Sequence, residues 1–438
     1  MEKGTDNCHS LFFYTKGYVF QVINGSLGGE YVKLFVDLSA EDKEKLFFKE
    51  PESFDKHAGK ELLAYALGAT LYMPATRPNI QQDLVTKKHA GLTSIVICLE
   101  DAIGDNEVEV AENLLQSELK KLVLDIEKGF ITIEELPLLF IRIRDGRQLL
   151  RLRQKLGEEW SLLTGVVIPK FSASTGKSIL SQLMELKMEG YPLYAMPILE
   201  TRNVIYKETR MKELIHIKSI LDEFYDIILN VRIGATDFCG LYGIRRNTDT
   251  TVYDIAILND CIADILNVFL RSDQPYVVSG PVWEHFASKE RILKPQLRRT
   301  PFREHYGEAG VNIRSELINN QMDGLIKEIL MDITNGITGK TIIHPTHIKP
   351  VQALNAVSYE EYLDAANIIE QANGEKGVLK SAFQNKMNEI KPHFYWANRM
   401  ILKSRIYGVL HDEYTNIDLL QSVIYTGHSQ SNESSYSN

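Results

Sequence analysis

The sequence predicts an α/β fold, a (β/α)8 barrel with an N-terminal extension and a C-terminal helical appendage. Three observations point there. From about residue 60, short apolar runs alternate with longer amphipathic stretches, the pattern of βαβ units and a parallel sheet. Eight such runs occur, the number that closes a barrel. Most of them end in polar, chemistry-bearing residues, as barrel strands do at the face that carries function.

Residues 1–57 read as the extension, with β-like stretches at Tyr18–Ile23 and Tyr31–Val36 around the turn-prone Asn24-Gly-Ser-Leu-Gly-Gly29. The barrel domain spans 58–356. Its runs are Ala69–Met73, Ser94–Leu99, Leu138–Ile143, Gly165–Ile168, Leu193–Leu199, Ile227–Ile233, Tyr276–Ser279 and Thr341–Ile343. They are near-continuously apolar, as strands buried on both faces must be. A doubly wound sheet would alternate in the same way, but Ala69–Met73 runs into Pro-Ala-Thr-Arg-Pro rather than a Gly-x-Gly-x-x-Gly turn. An insertion at about 283–338 holds the basic Lys294-Pro-Gln-Leu-Arg-Arg299 and then a helical pattern, placed to form a flap over the barrel mouth. Residues 357–425 read as a helical segment, with amphipathic helices at Tyr359–Gln371 and Val378–Leu410. The Ser/Asn-rich tail, 426–438, reads as disordered.

Composition narrows the function. Of 438 residues, 44% are hydrophobic and 24% charged, which suits a packed globular core. A net charge of −9 gives no general attraction to phosphate polymers, so neither nucleic acid nor an anionic membrane is an expected partner. No run approaches the ~20 apolar residues of a membrane span, and the first residues lack the pattern of a signal peptide. The four cysteines, Cys8, Cys98, Cys239 and Cys261, are scattered, as reduced thiols in a cytoplasmic protein are. Small molecules are the expected partners.

Glu200 and Asp237 each follow an apolar run, so in a barrel both carboxylates face the mouth and can converge on a cation. Such a pair suits Mg2+, a hard ion that takes one or two protein carboxylates and keeps positions open for water and substrate. The alternative is a pair of helix caps or ion-pair partners. Arg142 lies between Ile141 and Ile143, and alternation turns it to the opposite side from both, where a guanidinium can bind a carboxylate or enolate oxygen. A buried ion pair with Glu100 or Asp101 is the competing reading. Arg144 shares its parity. Glu100 and Asp101 are adjacent and point to opposite sides, so either can orient Arg142 or a metal-bound water. The cations Arg142, Arg144, Arg147, Arg151, Arg153 and Lys155 read as a solvated helix face. Arg245 and Arg246, past the sixth run, are better placed for a phosphate.

Taken in order, these strand ends resemble the citrate lyase β-subunit-like branch of the HpcH/HpaI aldolase superfamily over about residues 68–397. Leu71-Tyr-Met-Pro-Ala-Thr-Arg-Pro78 is similar to its first strand and Pro-x-x-Arg-Pro turn. Leu99-Glu-Asp-Ala-Ile103 resembles Leu-Glu-Asp-Ala-Val, and Ile141-Arg-Ile143 resembles the strand bearing the substrate arginine. Pro169-Lys170, Glu200-Thr, Gly234-Ala-Thr-Asp237 and Gly339-Lys-Thr-Ile-Ile-His-Pro345 match the remaining motifs. The resemblance implies a Mg2+-dependent TIM-barrel lyase. It would cleave a carbon–carbon bond in a hydroxyacyl-coenzyme A or hydroxy-keto acid substrate, or run the reverse condensation. Arg142, Glu100, Asp101 and Glu389 would be catalytic. Arg77, Arg144, Lys170 and Arg245 would bind substrate, and Glu200 and Asp237 would hold the metal. Glu389 enters because Asn385-Lys-Met-Asn-Glu-Ile-Lys-Pro392 resembles the segment whose acid thioester-cleaving members lend to a neighbouring subunit, which implies a homo-oligomer, a trimer or hexamer. The chain departs from the pattern at Cys98, where the family has Asp, and at Arg144, where it has Asn. A barrel that keeps the metal site stands as the alternative, either non-catalytic, given Cys98 and Glu389, or phosphoryl-substrate-binding, since such barrels share a Glu and an Asp on neighbouring strands for Mg2+.

Overall fold

The computed structural model describes residues 14–15, 18–19, 31–286, 320–374 and 376–422. The chain divides into two compact units, Met1–Glu30 and Tyr31–Asn438. In the first, Tyr14–Thr15 pairs antiparallel with Tyr18–Val19. Beyond Val19 the expected strand, the Asn24–Gly29 turn, Lys294–Arg299 and the tail 426–438 all lie outside the described residues.

The second unit is built on eight parallel strands: β1 Ala69–Pro74, β2 Ser94–Cys98, β3 Leu138–Arg142, β4 Gly165–Ile168, β5 Tyr194–Leu199, β6 Val231–Ile233, β7 Val278–Ser279 and β8 Lys340–Ile342. They pair in sequence order from β1 to β7, and β8 returns to β1 with Thr341 opposite Thr70. The barrel closes between β7 and β8. There the Gly280 N–H donates to the Gly339 carbonyl at 3.0 Å and the Thr341 N–H to the Gly280 carbonyl at 3.1 Å. All eight predicted runs are therefore strands. The sixth is shorter than expected, because Tyr225–Ile227 forms a 3-10 turn, Ile228 makes only an isolated bridge to Ala195, and the continuous strand begins at Val231. Every residue of β2 and β4 is buried, the reason no polar alternation marked them.

A helix follows each strand: α1 Ile80–Val85, α2 Val108–Glu127, α3 Gly146–Lys155, α4 Gly176–Met188, α5 Lys207–Glu223, α6 Ala256–Phe269, α7 Asn320–Thr334 and α8 Ile348–Leu354. The cation run is largely the outer face of α3, as its spacing suggested. Arg147 pairs with Asp145, Arg151 with Glu112, and Arg153 with Glu185 and Glu189. Behind β8, Lys340 Nζ lies 2.9 Å from Glu328 and 2.7 Å from Asp332, and Arg246 lies 2.9 Å from Glu328. All four groups are buried, and two cations balance two carboxylates. Arg246, a phosphate candidate by sequence, is thus committed to holding α7 against the barrel.

Two expectations are corrected. Tyr31–Val36 is not a strand: Val32 makes a single bridge to Phe54, while Leu34 and Phe35 turn into the barrel's core. Nor is Val378–Leu410 one helix. Val378–Lys380 and Met387–Glu389 form an antiparallel hairpin, and only then does a helix run over Ile390–Tyr407. Pro392 explains the start. It lacks an N–H and its ring clashes with the carbonyl four residues earlier, so it is tolerated in a helix's first turn and not in its interior. That helix packs on Tyr359–Glu370 through a small separate core of Ala365, Ile368, Ile390, Ala397 and Met400. Its last residue ties the pair to the barrel, the Tyr407 hydroxyl donating to the Tyr65 carbonyl at 2.9 Å. Val409–Leu410 then pairs with Phe47–Lys49. Among the described residues no helix is long and apolar enough to cross a membrane, and Cys98, Cys239 and Cys261 are free thiols.

Candidate active site

At the C-terminal ends of the strands, acids and bases from five of them meet. Glu200, just past β5, is buried, and its Oε1 accepts the Lys170 N–H at 2.7 Å. Gly234 lies against it so closely that a Cβ there would come within 2.1 Å of Glu200 Oε2. Gly234 also caps the short helix Ala235–Leu241, whose first turn carries Asp237. Burial, and then the like charge of Asp237, pushes the Glu200 carboxyl up to about 8. Asp237 is raised as well, by burial and by Asp101, against the pull of Lys170.

Lys170 follows β4 with φ of 48°, a left-handed conformation that costs energy for a residue with a side chain. Both of its ends are held. The N–H meets Glu200, while the ammonium bonds Glu100 and sits 3.3 Å from Asp101 and 3.9 Å from Asp237. Burial works against that ammonium, but these carboxylates outweigh it and hold the lysine charged, above its ordinary range.

Arg142 ends β3, level with Cys98 on β2. Its Nε donates to Cys98 Sγ at 3.1 Å and its Nη2 lies 3.1 Å from Glu100. The thiol also accepts the Glu100 N–H at 3.3 Å, so the residue that departs from the family pattern positions both neighbours. Burial raises Glu100, and its hydrogen bond to Asp101 raises it further. Asp101, exposed at the mouth, is held low by that same bond and by Lys170 and Arg142. One carboxyl is favoured as an acid and its neighbour as a base, the division general acid–base chemistry needs.

The donor set fits magnesium. Two carboxylates from adjacent strands face each other, each destabilised as an anion by burial, which is the electrostatic demand a divalent cation relieves. Among the described residues there is no cluster of three or more His, Cys, Asp or Glu side chains that would instead suit a closed zinc-type cage.

Of the residues singled out by sequence, Glu100, Asp101, Arg142, Lys170, Glu200 and Asp237 come together here. The others stand apart. Arg77 pairs with Asp83 at 2.6 Å, Arg144 with Asp105, and Arg245 is exposed beyond the Asp237 helix. Glu389 is exposed on the hairpin, its N–H donating to His393 Nδ1 at 3.1 Å. Two residues of the mouth escaped the sequence reading. Tyr72 on β1 has the Arg142 and Arg232 guanidiniums each 5.6 Å from its ring centre. Arg232 on β6 is buried inside the barrel. The signal for Arg232 was present, as a lone cation within an otherwise apolar run.

No curated protein matches the chain. Among solved structures, a citrate lyase from Burkholderia xenovorans LB400 superposes with a TM-score of 0.50 at 13% identity, covering 81% of this chain and 96% of that one. The CitE protein of Mycobacterium tuberculosis, solved with magnesium, acetoacetate and coenzyme A, covers 80% of this chain and 99% of its own at 18% identity and a TM-score of 0.46. The citrate lyase β-subunit of the same organism, solved with oxaloacetate and magnesium, is also 18% identical, with a TM-score of 0.38 over 68% of this chain and 96% of that one. The family model for carbon–carbon bond lyases of the TIM-barrel fold matches residues 61–409, from the helix before β1 to the strand after the Ile390–Tyr407 helix. The chain belongs to that family of carbon–carbon bond lyases.

Proposed function

We propose that this lyase is Mg2+-dependent and breaks a carbon–carbon bond by retro-aldol or retro-Claisen chemistry, or makes it in the reverse condensation. Its substrate on this reading is a hydroxyacyl-coenzyme A thioester or a hydroxy-keto acid. The observation that carries the reading is the Glu200–Asp237 pair, one buried and one half-buried carboxyl facing each other at a barrel mouth. They would hold the ion, which supplies Lewis-acid stabilisation to the oxygens of the fragment that leaves as an enolate.

The chain's own groups do the rest. Arg142, pinned by Cys98 and Glu100, presents its guanidinium to a substrate carboxylate or to the enolate oxygen, where it is worth most as negative charge develops. Asp101 is ionised and open to solvent, placed to take the proton of the substrate hydroxyl, while Glu100 and Lys170 hold its charge in place. Glu389, on an exposed hairpin away from its own barrel mouth, suits a residue lent to a second copy in a homo-oligomer.

Calorimetry tests the metal. Glu200→Ala and Asp237→Ala are each expected to weaken Mg2+ binding at least tenfold, and unchanged affinity refutes the assignment. A panel of hydroxyacyl-coenzyme A thioesters and 4-hydroxy-2-keto acids, assayed for released acetyl-coenzyme A or pyruvate, tests the substrate. Light scattering of the full chain reads the oligomer.

A further inference from the structure

Arg232 is charged, almost fully buried, and without a carboxylate partner among the described residues. Its Nη2 donates to Thr341 Oγ1 at 2.7 Å and its Nη1 reaches Thr70 Oγ1 at 3.4 Å and Met196 Sδ at 3.9 Å, while Nε meets no partner. Three other buried cations are balanced, Lys340 and Arg246 against Glu328 and Asp332 and Arg210 against Asp260 and Asp264. An uncompensated buried charge is costly, and Arg232 bears it directly beneath the reaction chamber.

Arg232 also stands against Tyr72, its guanidinium 5.6 Å from the ring centre. A guanidinium only donates, so neither Arg232 nor Arg142 can take the phenol proton. No described side chain or carbonyl takes it. The ring is half-buried and stands between the guanidiniums of Arg142 and Arg232, with Cys98 and Glu200 the other titratable groups that face it. A donor polarised from behind by a cation, with its proton unclaimed and the substrate arginine beside it, is built for an oxygen that becomes negative.

We propose that Tyr72 is a further catalytic residue, its O–H donating a hydrogen bond to the substrate oxygen on which charge develops as the carbon–carbon bond breaks. Arg232 is its positioning residue. The proposal rests on the lyase reading for its reaction. Arg142 and the metal carboxylates act from β3, β5 and the Asp237 helix, whereas Tyr72 approaches from β1, so the enolate is met from a further side.

The test uses the full chain and Tyr72→Phe, which removes one oxygen and keeps the ring. On whichever panel substrate the wild type turns over, the variant is expected to lose kcat by ~10²-fold, the order seen when one oxyanion donor is removed, with KM within about threefold. Arg232→Met is expected to reproduce that loss of kcat, and Arg232→Lys to recover part of it, while Mg2+ affinity by calorimetry stays unchanged in all three. Oxalate, a planar dianion shaped like an enolate, gives a readout independent of turnover. Its affinity in the presence of Mg2+ is expected to fall about tenfold or more in Tyr72→Phe. If the wild type turns over and Tyr72→Phe keeps kcat within threefold, the proposal is overturned while the lyase reading stands. If the panel is silent, the lyase reading fails and oxalate still decides: weaker binding by Tyr72→Phe supports the donor, and equal binding, or none by the wild type, overturns it.

Discussion

Gly234→Ala tests the geometry of the metal carboxylate most directly. Gly234 has φ of −96°, which alanine adopts without strain, so the substitution is steric and nothing else. The added Cβ would lie 2.4 Å from the Cβ of Glu200 and 2.1 Å from its Oε2, against an ordinary contact that begins at 3.4 Å. The carboxylate end can swing aside, but the Glu200 Cβ is tied to the backbone after β5 and must retreat by about 1 Å. Overpacking of this kind costs about 1–3 kcal/mol of stability, and a shift of that size at a reacting group costs about 10²-fold in rate. Gly240→Ala on the same short helix is the control, since a Cβ there meets nothing within 4 Å. Calorimetric Mg2+ titration with thermal melts of both variants is the assay. The expected result is a destabilised Gly234→Ala with Mg2+ affinity reduced at least tenfold, beside a Gly240→Ala close to wild type. A Gly234→Ala that melts with the wild type and binds Mg2+ within threefold of it refutes the reasoning.

Two further predictions concern charge. Because Glu200 is raised to about 8 from an ordinary 4.5, a proton must leave before the ion binds. Mg2+ affinity is therefore expected to level off above pH 8 and to weaken about tenfold for each unit below it. Without metal the sign for stability follows: the contribution of this group is fully present below pH 4.5 and is lost as pH rises through 8. Calorimetry and melts from pH 6 to 9 check both, and a flat affinity across that range sinks the assignment. Behind β8, Lys340→Met leaves Glu328 with Arg246 but Asp332 with only the Tyr253 hydroxyl, and is expected to cost about 3–5 kcal/mol in urea unfolding. Lys207→Met, which breaks an exposed pair with Asp260, is expected to cost less than about 1 kcal/mol.

The sequence alone determined the barrel and the six groups at its mouth. Strands buried on both faces must be apolar throughout, so eight such runs can be counted along the chain. The residues at and shortly past the end of each run are carried to the functional face, which is why Glu200, Asp237 and Arg142 are identifiable from position. Local patterns failed where competing local signals were equally good. The stretch Val378–Leu410 has a helical look from end to end, and only the position of Pro392 sets where the helix begins. Tyr31–Val36 has strand composition, but no edge is free for it in a closed barrel, and its apolar side chains serve the core instead.

Only the tertiary structure decided the partners. Arg144 and Arg246 look equivalent in sequence to Arg142. Yet one is paired with Asp105 on the loop after β2 and the other with Glu328 on a helix 82 residues away, while Arg142 alone reaches the carboxyl cluster. Charge pairing depends on distances set by barrel closure, and no linear spacing encodes them. The same closure stacks Tyr72 between arginines from β3 and β6, turning an unremarked aromatic into the best-placed unclaimed donor at the mouth.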